Sequence, residues 1–411
     1  MKNATYLFRL STIVRGLVIL SLLLALELFA NAKEFYFITF NAPGAGSNAY
    51  QGTIATGINP GGEISGYYLD ANFLAHGFLR NADGTFITFD APHASQDGYG
   101  TYANGLNSEG DTVGYYTNST FNFGGYLRRP DGTFEIFRDP MACTTGDPKG
   151  CEGTGFGAIN DLGVIAGGYI DKNLVQHALL KGPDGKVIPY DAPGAGNNPG
   201  NPANISPLGD HLYQGTNLAG ISPGLNASGA ITSGYLDENN VYHGYLRSPD
   251  GSFTEFDAPG AGTGLAQGTI PISLNDSGVI TGFYVDSNDV FHGFTRGSDG
   301  SLTTFEAPDA DTTPGSFNGT LPESINQFGA ITGYYVNAQD VARGFALASD
   351  GSIITFAAPG AGLGAGQGTI PQSNNEFGVI AGYYVDANSV IHGFLAIPCG
   401  EWCEGTNTNY E

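Results

Sequence analysis

From Ser252 to Arg296 the chain reads SFTEFDAPGAGTGLAQGTIPISLNDSGVITGFYVDSNDVFHGFTR. Four runs with strand-forming composition stand in it, SFTEFDAP, GTIPISLN, GVITGFYVD and VFHGFTR, and each boundary carries turn chemistry. Asn275 and Gly278 frame a tight turn in which glycine takes the positive φ. Asp286-Ser287-Asn288 suits an Asx turn, the side chain capping backbone two residues on. Asp299-Gly300 beyond the last run is a two-residue hairpin signal. Three hairpins in succession give a four-stranded antiparallel meander.

The meander recurs. Asp-Gly turns fall at Asp83-Gly84, Asp131-Gly132, Asp184-Gly185, Asp250-Gly251, Asp299-Gly300 and Asp350-Gly351, with Cys399-Gly400 in the next slot. The loop FDAPGAG, Phe256 to Gly262, is spelled FNAPGAG at Phe40, YDAPGAG at Tyr190 and FAAPGAG at Phe356, and in altered form FDAPHAS, FRDPMAC and FEAPDAD. Seven units follow, at about 35–84, 85–132, 133–185, 186–251, 252–300, 301–351 and 352–400, ahead of a short tail. Four-stranded units of about 50 residues indicate an all-β, seven-bladed β-propeller. Small residues in GTIATGIN and its relatives suit the crowded innermost strand, while HGFLR and TFITF carry the bulk of the outer ones. The APGAG loop is then the crossover from an outer strand to the next inner strand, with Pro ending the ladder pairing. The first unit opens on an outer strand with no blade before it, so Phe35 to Phe40 is expected to pair with His392 to Ala396 and close the ring.

Units reading INxxGxIxGYYxDxxxxxHGFL and then DGTFxxFDxP, best matched from Ile58 to Phe89, Leu274 to Phe305 and Ile325 to Phe356, resemble the HAF-type extracellular repeat of bacterial secreted proteins. The resemblance covers nearly all of the chain after residue 32 and implies an exported repeat protein. Its motifs are turn and packing residues and imply nothing about ligand or reaction.

Export is also expected from residues 1–32. Lys2, Arg9 and Arg15 precede an apolar run, GLVILSLLLALELFA, and Ala30-Asn31-Ala32 offers a cleavage site, which together describe a secretory signal peptide. The run is short for a membrane span, and no second candidate follows it. The whole chain carries a formal charge of −24; removing three basic residues and Glu27 leaves 12 Lys+Arg against 38 Asp+Glu, near −26. Such a balance opposes nucleic-acid and anionic-membrane binding. The four cysteines form two close pairs, Cys143 with Cys151 and Cys399 with Cys403, and local disulfides suit an oxidising compartment.

Candidate chemistry divides into repeated and unrepeated residues. His76, His177, His243, His292 and His392 occupy one slot of the third strand, a recurrence that suits a structural role, because a catalytic histidine is normally unique. Asp70, Asp171, Asp237, Asp286 and Asp386, with Asn118 and Asn337, mark the second turn; Asx turns explain them, and a weak Ca²⁺ site is the alternative, with no cofactor otherwise implied. Thr53, Thr101, Thr154, Thr216, Thr269, Thr320 and Thr369 open the inner strands, and either line a polar funnel or satisfy backbone. No metal-ligating cluster or known nucleophile motif stands out. The unrepeated residues lie in long crossovers, where function tends to be placed. His93, Tyr99 and Tyr102 distinguish unit two, and Asp210, His211 and Tyr213 distinguish unit four. Tyrosine beside Asn, Asp and Gly suits stacking on sugars. Three functions remain open: a non-catalytic binder of an extracellular glycan, small molecule or protein on the crossover face, a lyase or hydrolase using that face through His93, Asp210 and His211, and a structural or adhesive surface protein. Unique polar groups near the axis favour the enzyme, an aromatic platform the binder, and a uniform ring the structural protein.

Overall fold

The computed structural model describes residues 34–96, 99–120, 122–143, 153–199, 212–216 and 222–399. Within them every regular element is a β-strand. The chain is an all-β protein of the propeller type. Its repeating unit is seen in Gly268–Leu274, Ile280–Val285, Phe291–Arg296 and Leu302–Phe305, paired antiparallel in sequence order. Side chains of the outermost strand are the most exposed and those of the middle strands the most buried.

The expected turns are present. Asn275 Oδ1 accepts from the Val279 amide at 3.0 Å, and Asp286 Oδ1 accepts from the amides of Asn288 and Val290 at 2.8 and 3.0 Å. The crossovers join outer to inner strand as expected. Seven inner strands open on a glycine that makes a parallel bridge to the third strand of the preceding unit, as at Tyr242↔Gly268 and Ile391↔Gly52. Gly52 there has φ 129°, and a Cβ would strike the Ile391 carbonyl, so the slot requires glycine. These bridges explain why 25 strands form one continuous sheet, while Thr101–Leu106, Thr112–Thr117, Phe123–Arg128 and Phe134–Phe137 form a sheet of their own.

The first strand, Glu34–Phe40, pairs antiparallel with Ile391–Cys399, Phe40 opposite Gly393 and Phe37 opposite Ala396, as the offset of the first unit led us to expect, and the pairing runs on past Ala396 to Phe35 opposite Pro398. Its rings pack on the neighbouring unit, Phe35 lying 4.8 Å from Phe356 and Phe37 6.0 Å from Phe394 between centroids. Unit four is described only in part. The described parts of its inner strand are Gly215–Thr216 and Gly224–Leu225, with residues 217–221 between them outside the described residues.

Repeated polar residues hold unit to unit. The seven inner-strand threonines are fully buried, and each hydroxyl accepts the amide of a crossover residue at 2.8–3.0 Å, Ala42 for Thr53 through Ala358 for Thr369. They satisfy backbone and line no funnel. Four arginines, Arg80, Arg128, Arg247 and Arg296, place their guanidinium groups 4.8–5.0 Å from the ring of Phe40, Phe89, Tyr190 or Phe256 in the preceding crossover region. At the other end of the inner strands seven buried asparagines bond in sequence. Asn59 donates to the Asn107 carbonyl, Asn107 to Asn160, Asn160 to Asn226, Asn226 to Asn275, Asn275 to Asn326, Asn326 to Asn375, and Asn375 back to Asn59, at 2.9–3.5 Å.

Cys143 and Cys399 are not free thiols. Their expected partners, Cys151 and Cys403, lie outside the described residues, as does the signal segment 1–32. No helix among the described residues is long and apolar enough to cross a membrane.

Candidate functional site

Six of the inner strands carry an irregularity near the middle. The register slips between Ala55 and Gly57, Ala103 and Gly105, Phe156 and Ala158, Pro271 and Ser273, Pro322 and Ser324, and Pro371 and Ser373. A bulge releases one residue from the ladder and re-aims its side chain, and it tolerates an adjacent proline. The six released residues are Thr56, Asn104, Gly157, Ile272, Glu323 and Gln372, and all six line one cavity of about 930 Å³ between the units. The second strands add a recurring register position to the wall, the first of the paired aromatics in GYY. That position holds Tyr67, Tyr115, Phe283, Tyr334 and Tyr383, but Gly168 in unit three and Gly234 in unit four.

The wall is therefore unequal. Aromatic rings crowd the side of units five, six, seven, one and two. Tyr67 meets Tyr102 edge-on at 4.8 Å, Tyr102 stacks on Tyr115 at 4.8 Å and 14°, and Tyr115 leans on Phe123 at 5.1 Å. Burial raises the pKa of Tyr67, Tyr102, Tyr334 and Tyr383, with Tyr102 pushed further by Tyr67 and Tyr99. These phenols stay neutral at physiological pH and can both donate and accept. Two of the polar bulge residues are spoken for: Thr56 donates to the Ala103 carbonyl at 2.9 Å and Asn104 to the Phe156 carbonyl at 3.1 Å.

Glu323 is different. Among the described residues it is the one charged side chain in the cavity wall. Protein surrounds it, although its carboxyl retains some access to the cavity, and this burial alone pushes its pKa up to about 8. Among the described residues no hydrogen bond or ion pair reaches it. Its charge bears on Tyr334 and Tyr383, whose pKa values it helps to raise after burial.

The residues singled out from the sequence do not all meet. Tyr102 lines the cavity. Tyr99 stands on the crossover surface, 55% exposed, in the left-handed region at φ 54°, close enough to act on Tyr102. His93 is exposed at φ 72°, in the loop position that Gly44 fills in unit one. Tyr213 is corrected: it is wholly buried and packs with Cys143, Ile170 and Leu174, so its ring belongs to the core and not to a loop surface. Asp210 and His211 lie outside the described residues.

The repeated histidines form one structural arrangement. His243 lies 3.0 Å from Asp257 through Nδ1 and 3.8 Å from Asp237 through Nε2, and stacks on Tyr235 at 5.1 Å. His76, His177 and His292 repeat this with Asp90, Asp191 and Glu306, and His392 bonds Asn41 at 2.9 Å. In His177 and His292 burial opposes the charge but the flanking carboxylates prevail, and in His243 the Asp257 bond leads, so all three have raised pKa values. The repeated aspartates are committed to Asx turns and to these histidines.

The tyrosine wall escaped sequence reading because its members belong to the repeat consensus. Glu323 did leave a signal, as the one acidic residue among the described inner strands.

No family model matches the chain, and no curated protein matches it. Among solved structures it is similar to a streptogramin B lyase, with TM-score 0.52 and 14% identity over 89% of this chain and 98% of that one. It is similar also to the BP39L lectin of Burkholderia pseudomallei, with TM-score 0.50 and 11% identity over 90% and 98%. A fungal lectin from Aleuria aurantia, described as a six-bladed β-propeller, matches over 73% of this chain and 92% of its own at TM-score 0.39 and 13% identity. At these identities the likeness is one of fold.

Proposed function

We propose that this is an exported, seven-bladed propeller that binds a small extracellular ligand without transforming it, and that the site is the axial cavity. Seven blades are supported by the asparagines that bond head to tail and return from Asn375 to Asn59, and by the pairing of Glu34–Phe40 with Ile391–Cys399. Export rests on the signal segment, the HAF-type resemblance and the local disulfides expected at Cys143–Cys151 and Cys399–Cys403.

The observation that carries the binding reading is the Tyr67–Tyr102–Tyr115 stack, set in a cavity whose other groups include Gln372 and Glu323. Flat rings flanked by amide and carboxyl groups suit a carbohydrate, with apolar faces on the rings and hydroxyls on the polar groups. The site lies on the axis beneath the crossover face, and Tyr102 is the residue common to both. A glycan array probed with residues 33–411 tests the reading. Selective binding that Tyr102→Ala removes supports it, and an array with no selective signal counts against carbohydrate.

A catalytic reading is favoured by one observation, a carboxyl with a pKa near 8 and no partner, which suits a general base. Mass spectrometry of bound glycan after prolonged incubation separates the two. Unchanged ligand supports the binder, and a product lost in Glu323→Gln supports a lyase or hydrolase.

A further inference from the structure

The axial cavity contains a carboxyl with no counter-charge. Among the described residues no Lys, Arg or His lines it and Glu323 has no polar partner, and the chain as a whole is acidic, at −24. The bulge between Pro322 and Ser324 releases Glu323 from the ladder, so its aim into the cavity is built into the backbone. The same slot is filled elsewhere by Thr56, Asn104, Gly157, Ile272 and Gln372, which shows that the fold does not require a carboxyl there.

The groups facing Glu323 are aromatic. Tyr334 sits beside it on the next strand, opposite Leu321. Tyr383 of unit seven and Tyr67 of unit one line the same cavity, and the charge of Glu323 bears on Tyr334 and Tyr383. A carboxylate and several electron-rich ring faces share one preference: both attract a positive charge, and a ring accepts a poorly hydrated organic cation better than a strongly hydrated one.

We propose that the ligand of the axial cavity carries an ammonium group, seated against Glu323 and enclosed by Tyr334, Tyr383 and Tyr67. The inference rests on the axial cavity being the ligand site and narrows the ligand class to an amine-bearing molecule, an amino sugar where the ligand is a carbohydrate. Binding ionises Glu323, and the displaced proton leaves to solvent. The affinity for a permanently charged cation therefore rises with pH through about 8, where half of the carboxyl is ionised in the free protein, and levels off about a unit above. The ionisable groups facing Glu323 are the phenols of Tyr334, Tyr383 and Tyr67, whose raised pKa values keep them neutral through that range.

Calorimetric titration of residues 33–411 with choline and with its uncharged isostere 3,3-dimethylbutan-1-ol tests the proposal, alongside glucosamine and glucose. At pH 8.5 choline should bind at least tenfold more tightly than its neutral isostere, and at pH 7, where its amine is still largely protonated, glucosamine should bind more tightly than glucose; Glu323→Gln should abolish both preferences without lowering the melting temperature. Tyr383→Leu, which keeps the carboxyl, should weaken choline several-fold. If glucose and glucosamine bind alike and Glu323→Gln changes neither, the carbohydrate reading stands and the ammonium proposal falls. If choline binds through Glu323 and no sugar binds, the ammonium proposal stands and the carbohydrate reading falls. Binding of none of the four overturns both, and a charge preference that survives in Glu323→Gln overturns the assignment to this residue.

Discussion

Replacing Glu323 by Gln removes an ionisable group while keeping its shape, and the effect should depend on pH in a defined direction. The folded protein holds this proton more tightly than the unfolded chain, since burial moves the carboxyl from an ordinary value of 4.5 to about 8. Between those two values the folded state binds more protons, so stability falls as pH rises through that window and is constant above it. At about 1.4 kcal/mol per tenfold change in proton affinity the limit is roughly 5 kcal/mol. Water in the cavity screens the charge, and a loss of about 1–2 kcal/mol is the working expectation. With roughly 2 cal/mol/K of unfolding entropy per residue, this amounts to about 1–3 °C in Tm for a chain of this size. Differential scanning calorimetry of both proteins from pH 5 to 8.5 reads it, and other groups cancel in the difference. The variant should match wild type near pH 5 and gain on it steadily to pH 8. A gap that stays constant across the range would refute the burial argument.

Two further variants address the frame. Deleting Lys33 to Ala42 removes the strand that pairs with Ile391–Cys399 and exposes an unpaired edge, so the cooperative thermal transition should be lost; an unchanged Tm would break the link between ring closure and stability. Asn375→Ala deletes the bond to the Asn59 carbonyl and the cap on the Phe377 and Val379 amides, which should cost about 2–3 kcal/mol in chemical denaturation.

The frame was legible because its signals are local. Asn-x-x-Gly, Asp-x-Asn and Asp-Gly each specify a turn through backbone chemistry within four residues, and three such turns fix a meander. The offset of the chain's outer strands extended this to the pairing of the first strand with Ile391–Cys399. The site was less legible. Of the adjacent tyrosines Tyr67 and Tyr68, one faces the cavity and the other stacks on His76. That choice follows from the strand register and the bulge at Thr56, which no side-chain pattern announces. Tyr213 looked like a loop tyrosine because its crossover is long and polar, but the chain brings it back onto Ile170 and Leu174. Tyr102 was legible as a departure from its repeat. Glu323 departed equally and passed as an ordinary strand residue, because only the bulge gives its direction.

Function is placed here in the residues that line the axial cavity, whether they break the repeat as Tyr102 and Glu323 do or recur as Tyr67 and Tyr383 do, and stability in the recurring residues away from it. The direct measurement compares ligand affinity and Tm for Tyr102→Ala and His292→Ala, using the glycan selected on the array. Tyr102→Ala should lose at least tenfold in affinity with Tm within about 2 °C of wild type, since its ring is part of the cavity wall. His292→Ala should keep full affinity and lower Tm at pH 6, where the imidazolium held by Glu306 and Asp286 contributes most, with the effect shrinking as pH rises through its raised pKa. The opposite pattern, binding lost in His292→Ala and kept in Tyr102→Ala, would contradict the placement of function at the axis.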